Sequence, residues 1–204
     1  MSPAAVIVTE DLTKIYRRQV AVDRLNFTVN EGEIFGFLGP NGAGKTTTLL
    51  MLLGLTEPTS GRARILGIDP AREPIKVKSK VGYLQENMGF YADLTARQML
   101  RFVAELHGIG RRLAEARIEQ ALQDVGLADD DPCKKIAAFS RGMRQRLGIA
   151  ELLIRDSRVA FLDEPTLGLD PDATQRIMEL IQRLAREQGI TILLSSHQLH
   201  QVQR

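Results

Sequence analysis

Residues 39–47 read Gly-Pro-Asn-Gly-Ala-Gly-Lys-Thr-Thr and follow the apolar run Ile34 to Leu38. Gly39, Pro40, Asn41, Gly42, Ala43 and Gly44 are small, so the chain can curl with several backbone N–H groups pointing inward. A helix beginning near Gly44 adds its positive N-terminal end. Such a loop cradles phosphate: Lys45 reaches the outer phosphates, the Thr46 hydroxyl suits Mg²⁺, and Thr47 extends the first helical turn. Gly39, Gly44, Lys45 and Thr46 satisfy G-x-x-x-x-G-K-[ST], a pattern expected by chance on the order of one time in a hundred chains of this size.

A second chemical site follows the apolar run Val159 to Leu162, which ends in Asp163 and Glu164. Carboxylates at the C-terminal end of a buried strand lie where doubly wound sheets bind ligands. Asp163 suits the shell of a Mg²⁺ ion, and Glu164 is free to orient or deprotonate an attacking water. His197 follows the expected strand Ile190 to Ser196 and falls at the same sheet edge, where an imidazole can hydrogen-bond a terminal phosphate. His107 and His200 have no such context and read as surface residues.

The chain has 204 residues, 44% hydrophobic and 25% charged, which suits a large domain with an ample core. A net charge of +2 gives no argument for a nucleic-acid partner. Cys133 is the single cysteine, so an internal disulfide or a cysteine-based metal cluster is not expected. The N-terminus lacks the basic region of a signal peptide, and no run approaches the roughly 18 apolar residues of a membrane span.

These residues must be held by an alternating fold. Segments within 4–12 and 20–29 alternate apolar and polar residues, as half-buried strands do. Residues 33–38 read as a strand covered on both faces. Further strands are expected near 60–67, 80–85, 158–163 and 190–196. Helices are expected over about 44–53, 95–107, 111–125, 140–155 and 170–188. In the third of these, Ala114, Ile118, Ala121, Leu122 and Val125 share a face. In the last, Asp170 can cap the helix, Pro171 suits its first turn and Gly189 stops it. Strand–helix alternation implies a parallel α/β sheet.

Taken together the motifs resemble the nucleotide-binding domain of an ABC transporter, over nearly the whole chain and in the family's order. Gly39 to Thr47 match the Walker A loop, and Val159 to Glu164 match Walker B with its catalytic glutamate. Leu167 to Asp170 resemble the D-loop and His197 the switch histidine. Tyr16 matches the aromatic that stacks on adenine, with Val22 beside it. The resemblance implies an α/β P-loop NTPase with a parallel core sheet, an N-terminal antiparallel β subdomain and an inserted helical subdomain. The core would comprise about 1–91 and 158–204, and the helical insertion about 92–157. It implies ATP and Mg²⁺ as ligands, and a second such subunit, identical or not, that closes around two nucleotides. It also implies a separate integral-membrane permease and a cytoplasmic position against the inner face of the membrane. The motifs are most similar to drug and antibiotic exporters. An ATP-binding scaffold, or a soluble ABC ATPase uncoupled from transport, is the alternative.

Three departures matter. The signature, usually L-S-G-G-Q, reads Phe139-Ser140-Arg141-Gly142-Met143. Ser140 and the backbone of Gly142 retain what phosphate needs, and Arg141 either adds charge or faces solvent. In Val81 to Asn87 the register favours Glu86 as the metal- and water-contacting residue, while chemistry favours Gln85; both stay open. The family pattern runs on beyond residue 204, so the end of the domain is expected to be missing. Met88, Phe90 and Tyr91 resemble the stretch near which a permease docks, or else pack into the core.

Overall fold

The computed structural model describes residues 4–197. Strands β1 (Ala5–Tyr16) and β2 (Gln19–Asn30) form an antiparallel hairpin that turns through Arg17, which has φ 57°. Strand β4 (Ser60–Ile65) pairs antiparallel with the other edge of β1, giving the order β2-β1-β4. A second, wholly parallel sheet has the order β3-β7-β6-β5, from Ile34–Leu38, Thr191–Ser196, Val159–Asp163 and Val81–Leu84. The fold is therefore the expected P-loop NTPase α/β class, with its N-terminal antiparallel sheet.

Alternation along the parallel strands builds two core layers. Val159, Phe161 and Leu193 join Ile7, Leu12, Val29, Leu49 and Leu52, beneath the antiparallel sheet and helix α1 (Lys45–Leu52). Ala160, Leu162, Ile192 and Leu194 face the opposite way. They meet α5 (Arg141–Ile154), α6 (Pro171–Gln188) and, beyond them, α3 (Ala96–Leu106) and α4 (Arg111–Asp124). Every residue of β6 and β7 is buried, as strands covered on both faces must be.

Caps mark the helix starts. Thr95 and Gln98 form a capping box on α3, and Ser140 Oγ accepts from the Met143 amide. Asp170 accepts from the Ala173 amide, with Pro171 in the first turn and Gly189 left-handed at the end of α6. The shared face of α4 is buried at Ala114, Ile118, Ala121 and Leu122, with Val125 just beyond.

One reading needs correction, and two short elements were not expected. Strand β3 is half-buried rather than covered on both faces, and Leu38 is 37% exposed, because β3 lies at the edge of the sheet. The short helix α2 (Pro74–Lys78) and a 3-10 turn at Ile136–Ala138 had no periodic signal at their length. In the stretch after Glu86, Met88 and Phe90 pack against the core while Tyr91 stays exposed, its ring edge-on to Phe102 at 5.4 Å. His200 lies outside the described residues.

One buried acid sits away from the phosphate loop. Glu151, in α5, has Oε1 sealed from solvent with no hydrogen-bond partner, and burial pushes its pKa up to about 7. A carboxyl whose folded pKa is raised favours the neutral form, so its stability contribution is complete below about pH 4.5 and is lost as pH rises through 7. Glu151→Gln is therefore expected to be more stable than wild type at pH 8 by up to about 3 kcal/mol. In urea unfolding that gain should vanish near pH 4; a gain independent of pH would contradict the assignment.

Candidate functional site

Parallel pairing places the ends of the strands together. Leu38 pairs with Ser196 and Asp163 with Ser195, and the Gly39 amide donates to the Ser196 carbonyl at 3.2 Å. The phosphate loop, the two acids and His197 therefore meet at the C-terminal edge of the sheet. Among the described residues this edge borders a cleft of about 410 Å³, lined by Tyr16, Gln19, Ala21, residues 41–47, Glu86 and Glu164.

The loop depends on Gly44, whose φ is 86°. A Cβ there would come within 2.3 Å of the Ala21 carbonyl oxygen, so any side chain would break the contact between loop and β2. The Thr48 amide donates to the Gly44 carbonyl at 2.8 Å. The amides of residues 45–47 precede that bond and have no acceptor within the helix, which leaves them facing the cleft mouth. Lys45 Nζ folds back onto the loop, donating to the Gly39 carbonyl at 2.7 Å and the Pro40 carbonyl at 3.2 Å. It also lies 3.4 Å from Glu164 Oε1, with both side chains under 10% exposed.

The acids are held differently. Ser195 Oγ donates to Asp163 Oδ1 at 2.6 Å and accepts from the Glu164 amide at 3.0 Å. Thr46 Oγ1 donates to Asp163 Oδ2 at 3.0 Å, and the Tyr83 hydroxyl reaches the same oxygen at 3.4 Å. Burial, and then the Asp163 charge, push the Tyr83 phenol up to about 12, so it stays a neutral donor. Glu164 has φ 50°, an uncommon conformation for a residue with a side chain, and strain of that kind concentrates at functional sites. Its Oε2 pairs with His197 Nδ1 at 2.9 Å, while Oε1 has no hydrogen-bond partner. Thr46 and Asp163 form an all-oxygen donor pair of the kind Mg²⁺ takes together with phosphate oxygens and water, so the residues fit that ion.

Of the two candidates after β5, Glu86 lines the cleft; Gln85 is exposed and is not among the lining residues. Tyr16 also lines it, with Lys14 Nζ 4.9 Å from the ring centroid. Val22 is buried in the core below, and its neighbour Ala21 faces the cleft instead. Ser140, Arg141 and Gly142 line no part of this cleft; they form the start of α5, and Asp170 forms the start of α6. Sequence reasoning missed Ser195, Tyr83, Gln19 and Ala21. Ser195 had a partial signal: a hydroxyl that follows three apolar residues in a strand covered on both faces needs a buried partner.

Fold and cleft together define a phosphate-loop nucleotide-binding domain. The ABC transporter family pattern matches residues 22–167, and the chain belongs to that family. It is 45% identical over 201 residues to a bacitracin transport ATP-binding protein of Bacillus licheniformis, covering 98% of this chain and 64% of that protein. The chain thus spans less than two thirds of the length of the first curated relatives it matches. Among solved structures it resembles cbiO1 of Clostridium perfringens, described as part of the ABC transporter complex cbiONQ. The TM-score is 0.88 and the identity 28%, over 97% of this chain and 80% of that one. It also resembles a dimeric ATP-binding cassette in a post-hydrolysis state bound to ADP and Pi. There the TM-score is 0.83 and the identity 26%, over 96% and 89%.

Ser195→Ala removes the donor to Asp163 and leaves the Glu164 amide without its acceptor. The expected cost is about 1–3 kcal/mol in urea unfolding; an unchanged midpoint would show that the hydroxyl does not hold the two acids.

Proposed function

We propose that the chain is the ATP-binding and ATP-hydrolysing subunit of an ABC transporter. It would dimerise around two Mg-ATP and drive a separate membrane permease in the exporting direction. The observation that carries this reading is the meeting of Lys45, Thr46, Asp163, Glu164 and His197 within hydrogen-bond reach at one sheet edge.

Each residue then has a task. Tyr16 stacks on the base, with Val22 supporting the wall behind Ala21. Residues 39–47 wrap the phosphates with backbone amides, and Lys45 leaves its own loop carbonyls and Glu164 for the outer phosphates, which are stronger acceptors for an ammonium. Thr46 and Asp163 hold Mg²⁺, with Glu86 ahead of Gln85 as a further metal or water contact. Bound there, the ion would offset charge on the outer phosphates. Once Lys45 has turned away, Glu164 Oε1 is free to accept a proton from the attacking water, while His197 steadies Oε2 and the terminal phosphate.

A single chain leaves one side of the nucleotide open to water, where electrostatic stabilisation is weak. The start of α5 on a second copy, with Ser140, Arg141 and Gly142, closes that side in this reading, and the Asp170 loop lies at the same seam. Segment 92–157 is the part that shifts on closure, acting as a helical subdomain between the two core portions. No helix among the described residues is long and apolar enough to cross a membrane. In this reading the path for cargo belongs to the permease, with this subunit on its inner, cytoplasmic face. The similarity to bacitracin transport ATP-binding proteins supports an antibiotic exporter.

Glu164→Gln tests this reading. Turnover should fall by about 10²-fold or more, and the variant should shift from monomer to dimer in gel filtration only when Mg-ATP is present. Full turnover in the variant would leave an ATP-binding scaffold or a different base as the answer.

A further inference from the structure

Arg141 stands where the family signature has glycine, and in the structure its exposed side chain lies over the same chain. It is the first residue of α5, after the Ser140 cap. Among the described residues no hydrogen bond or ion pair fixes its guanidinium. Its surface neighbour is Gly168: a Cβ added there would lie 2.7 Å from Arg141 Nη1, 2.9 Å from Cζ and 3.2 Å from Nε. The guanidinium therefore lies against Gly168, and a side chain there would displace it. Gly168 has φ 69°, in the left-handed region where glycine is least restrained.

The loop beneath Arg141 starts at the proposed base. The Leu167 amide donates to the Glu164 carbonyl at 3.1 Å, and the Leu169 amide to the Thr166 carbonyl at 3.2 Å. Asp170 then caps α6 through the Ala173 amide at 2.8 Å. On the same side, a Cβ at Gly142 would lie 3.7 Å from Ala173 Cβ and 3.9 Å from Leu169 Cδ2. The start of α5 thus rests on Gly168, Leu169 and Ala173, the end of the connection from Glu164 that enters α6, with Arg141 over Gly168.

We propose that Arg141 is a positioning residue whose guanidinium clamps the Glu164–Asp170 loop to the first turn of α5. The hydrolytic carboxylate of a chain and the signature it offers a partner then move as one body. This rests on Glu164 being the hydrolytic base, as proposed above. A planar, weakly hydrated guanidinium suits a flat backbone surface, and an ammonium does not. A contact to phosphate across a dimer would need only positive charge, which lysine keeps.

The first arm of the test is amide hydrogen exchange on the nucleotide-free chain. Arg141→Ala and Arg141→Lys should each speed exchange of peptides covering residues 164–170 by about tenfold, with peptides from α3 and α4 unmoved. Unchanged exchange in that loop overturns the clamp. This arm needs no ATP, so its result is separate from whether the chain hydrolyses ATP. The second arm is turnover. Both variants should lower kcat by about tenfold with KM for ATP held, and Gly168→Ala should cost distinctly less in the Arg141→Ala background than in wild type. The left-handed strain of Gly168→Ala is present in both backgrounds and cancels in that comparison. Equal cost in both, or wild-type kcat in Arg141→Lys, overturns the proposal. Absence of turnover in wild type would instead sink the hydrolytic reading and leave the exchange result standing.

Discussion

Lys45, Asp163 and Glu164 are almost withdrawn from water at the mouth of the parallel sheet. Buried charge is tolerated only when it is paired and hydrogen-bonded. Here the ammonium rests on loop carbonyls and on Glu164, and Asp163 takes donors from Thr46, Ser195 and Tyr83. Those partners come from α1, β7 and β5, so the order β3-β7-β6-β5 is what makes the burial possible. A sheet with β7 elsewhere would leave Asp163 without Ser195 and Glu164 without His197. On the proposed reading the arrangement is also primed for change, because Lys45 rests on two neutral carbonyls and a single carboxylate, which the several charges of a polyphosphate outcompete.

Much of this was legible in the residues. The phosphate loop is fixed by glycines at set spacing and by the apolar strand before it, both local signals. The strand before Asp163 was equally clear as an unbroken apolar run, and the capped helix after Asp170 by its long periodicity. What escaped was decided by tertiary neighbours. Nothing local to residues 34–38 says that their strand lies at a sheet edge. Tyr83 looks like an ordinary strand residue, and the partner of the Ser195 hydroxyl is not evident, until β6 is placed between β7 and β5. The choice between Gln85 and Glu86 turns on which way the chain leaves β5, which propensity does not encode. Arg141 was open between phosphate and solvent, and its cover over Gly168 depends on a loop some distance away in sequence.

The cleft also has a missing side. Tyr16, the phosphate loop, Glu86 and Glu164 form one wall, while Ser140 and Gly142 lie at the start of α5 and contribute nothing to it. On the proposed reading, a signature that lines no part of its own cleft gains a purpose when offered to another copy. Two copies placed head to tail would each complete the other's cleft and exclude water from both. The Glu164–Asp170 loop then lies between a chain's own hydrolytic acid and the surface it lends, which gives the departure at Arg141 a mechanical meaning.

The central claim is that one chain holds half of each hydrolytic site. The most direct measurement is ATP turnover per chain on serial dilution of the wild-type protein. If the site is shared, turnover per chain falls as the protein is diluted below the point where two copies associate. Constant turnover per chain at every dilution at which a monomer predominates would show that one chain suffices, and would contradict the account.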